Sequence, residues 1–295
     1  MGSEINWELY RSFLGVLNEG SLSGAARALD IAQPTVGRHI AALEKSLGLA
    51  LFTRSQTGLM PTEAAQSLRS FAESMQSTAA SLERAAASQG AGVRGTVRVT
   101  CSDVIGVEVL PPIVTALRDQ YPDLKVELVL TNRVQDLLRR EADIAVRMAR
   151  PRQELLVARR VGEIKVGLHA HRRYLDRHGT PGSIADLATH SLIGFDETTE
   201  FIRNAGKSFP GWRREVFALR TDSDLAQLAL IRSGAGIGGC QAAIARRDEA
   251  IVRVLPKQIS LSLDTWITMH EDLRNSPRCR VTFEALVKGL QPHVG

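Results

Sequence analysis

Apolar residues recur at helical spacing through the first 47 positions of the chain and then change rhythm twice. Leu9, Phe13, Val16 and Leu17 fall at i, i+4, i+7 and i+8, which predicts a helix over 7–19 closed by Gly20. A short second helix is predicted over 24–29, with Ser23 as its N-cap and Ala25 and Ala26 small enough for close approach of a neighbour. A third is predicted from Gln33 to Leu47, since proline at position 34 suits a first helical turn, where its missing N–H would have no partner anyway. Val36, Ile40, Leu43 and Leu47 make its apolar stripe; Pro34, Arg38, Ala41 and Lys45 take the opposite face, flanked by Thr35 and Gly37. That face is slim and basic, which suits a DNA major groove about 12 Å wide.

The rhythm then shortens. Leu51–Arg54 and Leu59–Pro61 flank Ser55–Gln56–Thr57–Gly58, the pattern of a small hairpin, or wing, with Arg54 at its base within reach of a phosphate or a minor groove. Residues 62–88 contain no proline or glycine, and Leu68, Phe71, Met75 and Leu82 recur at coiled-coil spacing, so one long helix is predicted. At about 1.5 Å per residue it would span roughly 40 Å, and its apolar stripe calls for a partner chain. After a glycine-containing hinge at 89–92, strands at 96–100, 125–131 and 143–147 alternate with helices at 110–120 and 134–140. This order predicts a parallel sheet covered on both faces, a type that binds ligands at the carboxyl ends of its strands.

The stretch GSLSGAARALDIAQPTVGRHIAALEKSLGLALFTRS, residues 20–55, resembles the head of the LysR-type transcriptional regulators. The likeness continues through RGTVRVT at 94–100, Leu110–Pro111, Tyr121–Pro122 and ADIAVRMARP at 142–151. It implies an α+β multidomain chain: a winged helix-turn-helix over 1–61, a linker and dimerisation helix over 62–89, and a periplasmic-binding-protein-like effector domain over 90–295. That domain would comprise two α/β subdomains, one of about 93–161 with 265–295 and one of about 162–264. The resemblance further implies a homodimer through the linker helix, a homotetramer, a pseudo-palindromic site on double-stranded DNA, a small-molecule effector and scope for contact with RNA polymerase. The DNA-binding candidates are Gln33, Pro34, Thr35, Arg38, Lys45 and Arg54. At cleft positions of the family stand Ser102, Asp103, Thr131, Asn132, Phe195 and Gly236. Arg147, at the carboxyl end of the third strand, could take a carboxylate bidentately, pointing to an anionic metabolite; pairing with a structural acid such as Asp103 is the alternative. The chain departs from the family at Gly37, where a serine is usual, at Gln56 and Thr57, where basic residues are usual, and at Ala65, where glycine is usual.

Charge changes this picture in one respect. The net charge is +5, yet residues 1–90 carry seven Lys/Arg against eight Asp/Glu, so DNA binding must rest on the placement of a few cations. Three widely spaced cysteines, Cys101, Cys240 and Cys279, form neither a disulfide framework nor a metal clip. Gly234–Gly239 matches GxGxxG in letters, but the order is helix, glycines, strand, the reverse of a dinucleotide-binding turn. His169 and His171 share one side of a predicted strand at 165–170 without a third ligand nearby. No GxSxG, HExxH or GxxxxGK[ST] occurs, so no catalysis, cofactor or metal is expected. The N-terminus lacks signal-peptide features and no apolar run approaches the roughly 20 residues of a membrane span, so a cytoplasmic location is expected. The competing reading is a stand-alone small-molecule binding protein whose head serves only dimerisation.

Overall fold

The computed structural model describes residues 6–55, 58–87, 92–132, 142–151, 156–199, 202–203 and 212–295. The chain divides into two compact units on either side of the step from Ala87 to Ser88. The first contains α1 (Trp7–Glu19), α2 (Leu22–Leu29), α3 (Gln33–Leu47), the hairpin of β1 (Phe52–Ser55) and β2 (Gly58–Pro61), and α4 (Glu63–Ala87). Local chemistry sets the ends. The Asn6 side chain accepts from Glu8 N to open α1, and Gly20 closes it in the left-handed region at φ 65°. Helix α2 begins two residues earlier than predicted: Ser21, not Ser23, is its N-cap, its Oγ accepting from Gly24 N at 3.1 Å. Gly48, at φ 69°, ends α3.

Phe13, Leu14, Val16, Ala25, Val36, Ile40, Leu43 and Leu51 make one buried core under these helices, and α4 adds Ala65 and Ala72 to it. Leu68 packs against the same core, so the predicted linker stripe is split. Its first member belongs to the head, whereas Phe71, Met75 and Leu82 stay exposed at 70%, 41% and 72%.

Among the described residues the second unit is built on nine strands. In chain order it comprises β3 (Gly95–Cys101), a π turn (Ile105–Val109) leading into α5 (Leu110–Gln120), β4 (Leu124–Leu130), β5 (Ile144–Arg147), β6 (Leu156–His171), α6 (Arg172–His178), β7 (Leu192–Gly194), β8 (Phe217–Arg220), α7 (Asp224–Arg232), β9 (Ile237–Gln241), α8 (Ala242–Ala245), β10 (Ile251–Val254), β11 (Leu261–His270) and α9 (Pro277–Leu290). The sheet order is β4-β3-β5-β11-β6-β9-β7-β8, with β10 also on β6. Strand β3 runs parallel to β4 and β5, and β7 parallel to β8 and β9, so two parallel triplets are joined through the antiparallel pair β6 and β11. The predicted helix at 134–140 lies outside the described residues, as does the hinge apart from Gly92.

One buried cluster crosses both triplets, since Ile193 of β7, Ile231 of α7 and Cys240 of β9 belong to it together with residues of the first triplet. Val97, Val99, Ile144 and Val146 pack with Leu110 and Leu117 of α5 and with Phe283, Leu286, Val287 and Leu290 of α9. Leu168, Ala170, Tyr174, Leu192, Phe217, Ile237 and Val254 form a second cluster. Cover over the sheet is incomplete, since Leu128 and Leu130 on the edge strand β4 are exposed at 37% and 38%. Between the triplets the β6–β11 ladder slips: Gly162 faces Thr265 while Arg160 faces Trp266, leaving Val161 as an extra residue. Gly162 adopts φ 153°, and a Cβ there would come within 2.8 Å of Val294.

Candidate functional site

In the head, the burial of Val36, Ile40 and Leu43 fixes the rotation of α3 and turns Gln33, Pro34, Arg38 and Lys45 to the exposed side. Thr35 is half-buried and its Oγ1 accepts from Arg38 Nη2 at 3.2 Å, so the guanidinium is steadied along the helix. Arg54 is exposed on β1, and the wing tip at 56–57 lies outside the described residues. Gly37 is open: a Cβ there would meet only Leu22 Cδ1, at 3.8 Å.

Two other α3 side chains do work that the sequence did not reveal. Glu44 Oε1 accepts from Leu51 N at 2.7 Å and Phe52 N at 3.2 Å, fastening the start of the wing to α3. His39 Nδ1 lies 2.7 Å from Ser12 Oγ and ties α3 to α1. Nothing in the spacing separates this glutamate from an ordinary solvated one.

In the second unit the carboxyl ends of both parallel triplets open on a cavity of about 490 Å³. Ser102 follows β3, Thr131 and Asn132 follow β4, Arg147 ends β5 and Phe195 follows β7, and all five line it. Two expected members do not. Asp103 sits beside the cavity, its Oδ2 accepting from Asn132 Nδ2 at 3.4 Å. Gly236 packs so tightly on Ser191 that a Cβ would fall 2.2 Å from its carbonyl oxygen. Its smallness serves that backbone contact, and Gly239, Cys240 and Gln241 of β9 line the cavity instead. Arg147 is 6% exposed and donates from Nη2 to Thr100 Oγ1 at 2.7 Å and from Nη1 to Val146 O at 3.2 Å. Apolar lining comes from Val104, Met148, Ile202, Trp212, Leu228 and Leu263. The sequence reading missed Trp212 and Leu228 because they belong to a lobe whose strands are as short as three residues.

The remaining candidates take structural places. Burial pushes the Cys101 and Cys240 thiols up to about 12, which keeps both protonated. His169 is buried with Nδ1 on Gly167 O at 2.9 Å, and burial brings it down to about 4. His171 Nδ1 accepts from Arg173 N at 3.1 Å and caps α6. The glycines after α7 do lead into β9, with Gly234 at φ 70°.

Residues 7–66 match the lysR family of bacterial regulatory helix-turn-helix proteins, and residues 90–291 match the LysR substrate binding domain. The chain belongs to the LysR family of regulators. An HTH-type transcriptional regulator of Xanthomonas campestris is 32% identical over 61% of this LysR-type chain, a match that spans only about half, 53%, of that relative's length. LtrA of Klebsiella pneumoniae, named as a probable HTH-type transcriptional regulator, is 27% identical over 93% of the chain and 91% of its own length. Among solved structures, full-length CbnR complexed with its target DNA superposes with a TM-score of 0.67 at 20% identity, covering 96% of this chain and 99% of CbnR, and so shares the fold. The chain thus pairs a helix-turn-helix DNA-binding head with an effector-binding domain, and its relatives are named as transcription regulators rather than enzymes. The stand-alone binding-protein reading is set aside on the same match of the head. Among the described residues no helix is long and apolar enough to cross a membrane.

Proposed function

We propose that this LysR-type regulator acts in the cytoplasm as a homodimer on a pseudo-palindromic promoter site, and that a small molecule in the cavity between the two strand triplets modulates occupancy. The observation that carries the DNA-reading role is the division of α3: its apolar stripe is buried while Gln33, Pro34, Arg38 and Lys45 are presented outward, with Arg54 exposed on the wing. Base or phosphate contacts are assigned to these residues and to Thr35. Dimerisation is supported by Phe71, Met75 and Leu82, large apolar side chains exposed along α4. A second apolar surface, Val107, Leu128 and Leu130, supports further self-association to a tetramer. Arg147 is assigned to an acidic group of the effector, and the promoter-bound form is open to contact with RNA polymerase.

Binding of the full chain to its own upstream DNA tests the reading, with wild type compared to Arg38→Ala by fluorescence anisotropy. Loss of a base contact is expected to weaken binding about 5- to 150-fold, from a contribution of about 1–3 kcal/mol. Equal affinity of the two proteins would remove Arg38 from the interface.

A further inference from the structure

The described lining of the cavity is lopsided in charge. It holds one cation, Arg147 at the end of β5, and three carboxylates, Glu197, Asp222 and Asp224, all from the other lobe. None of these carboxylates forms an ion pair with a lysine or arginine among the described residues. Asp222 Oδ1 is held by Asp196 N and Glu197 N at 3.0 and 2.9 Å, which keeps that loop against the end of β8. Asp224 is placed differently. Its Oδ2 accepts from Asn132 Nδ2 at 3.0 Å, and the same nitrogen lies 3.4 Å from Asp103 Oδ2. Two carboxylates, one from each lobe, therefore converge on a single neutral amide at the edge of the cavity.

Such an arrangement disfavours a plain anion. A carboxylate alone would gain Arg147 and face the half-buried Asp224, with the exposed carboxylates Glu197 and Asp222 adding further negative potential. A wholly apolar guest would bury Asp224 further without compensating it. Burial and the neighbouring Asp103 already push the Asp224 carboxyl up, a penalty that an incoming cation relieves. Between these charged ends the lining is apolar and includes Phe195, Trp212, Leu228 and Leu263.

Granting the proposed role of this cavity as the effector site, we propose that its ligand is an amphoteric small molecule of the amino acid type. Its ammonium is held by Asp224 with Asp103 behind it, its acid group by Arg147, and its apolar side chain by the aromatic and aliphatic lining. Asp224 also stands in the first turn of α7, where the helix dipole favours a negative charge. A purely structural role there would show as lost stability without any change in ligand choice.

The test is calorimetry on the full chain with three probes that share one body: L-phenylalanine, hydrocinnamate, which lacks the amine, and phenethylamine, which lacks the acid. The same comparison is run with L-leucine and its deaminated and decarboxylated counterparts, followed by the remaining common amino acids. At least one amino acid is expected to bind more tightly than its deaminated acid. Asp224→Asn, which keeps a hydrogen-bonding group, is expected to weaken amine-bearing probes about tenfold or more while leaving the acid unchanged and the unfolding midpoint in place. Tighter binding of the deaminated acids, no binding of any amino acid, or indifference of amine-bearing probes to Asp224→Asn would overturn the assignment. Ser102→Trp and Thr131→Trp fill the cavity from the other lobe and separate the two levels. Amino acid binding that survives both would refute the cavity as the effector site, whereas a cavity-dependent preference for deaminated acids would refute only the charge class.

Discussion

The fastening of the wing to α3 offers a measurement that tests the geometry directly. Glu44 supplies a charged acceptor to two consecutive backbone N–H groups, at 2.7 Å from Leu51 N and 3.2 Å from Phe52 N, beside a fully buried Leu51 side chain. A hydrogen bond to a charged group contributes about 1.5–3 kcal/mol. The shorter bond is taken near the middle of that range and the longer one near half its lower end, and water reaching the freed N–H groups returns part of the sum. The net cost of Glu44→Ala is then about 2–3 kcal/mol. Glu44→Gln, which keeps the acceptor and loses the charge, should cost about 1 kcal/mol. Amide hydrogen exchange of the peptide spanning 51–52 reports this local fastening more directly than unfolding of a chain with two units does. Exchange there should speed up roughly 30- to 150-fold in Glu44→Ala, and less than tenfold in Glu44→Gln. DNA affinity should fall with it, since Arg54 rides on the strand that is released. Unchanged protection at 51–52 in Glu44→Ala would refute the reasoning, because the wing would then be held by something other than this carboxylate.

Gly37→Ala should stabilise the head by about 0.5–1 kcal/mol, since the added methyl meets only an ordinary contact at 3.8 Å and α3 loses a helix-weakening glycine; a lowered unfolding midpoint would show a hidden clash. Phe71→Glu combined with Leu82→Glu should halve the mass measured by light scattering, and an unchanged mass would deny the exposed face of α4 a role in self-association. His169 titrates at about 4 when folded against 6.5 as a free side chain, so between those values the unfolded chain binds a proton that the folded chain refuses. Stability should be full above about pH 6.5 and fall by about 2 kcal/mol between pH 7 and pH 5, and His169→Gln should flatten that slope in urea titrations.

What was legible in the sequence was mostly what short-range chemistry decides. Pro34 and Gly48 bracket α3, and Leu110–Pro111 opens α5, so those bounds follow from residues next to the ends themselves. Position was harder where two equivalent residues compete: Ser21 and Ser23 can both cap a helix, and the left-handed turn at Gly20 puts the first within reach of Gly24 N. Pairing across distance was not legible at all. Strand β6 runs for 16 residues through Arg159, Arg160 and Gly162, a stretch with no strand alternation, because β11 pairs with it along ten positions. On the side of β3, β4 and β5 the expected residues Ser102, Thr131, Asn132 and Arg147 line the cavity because they stand at the ends of well-patterned strands, while Asp103 falls just beside it. On the side of β7, β8 and β9 the strands are too short to carry a period, so Trp212 and Asp224 went unnoticed and Gly236 was misplaced.

The slipped register of β6 against β11 has a mechanical consequence. Both ribbons pass from one lobe to the other without a break, so rocking of the lobes cannot be taken up by a loose joint. Any such rocking would fall as torsion on the slipped register at Val161 and Gly162, which lies against Val294. The displacement that such a torsion transmits grows with distance from the pivot. If a guest closes the lobes, the outermost strands, β4 and β8, travel furthest, and stiffening Gly162 would mute that movement without altering an atom that lines the cavity.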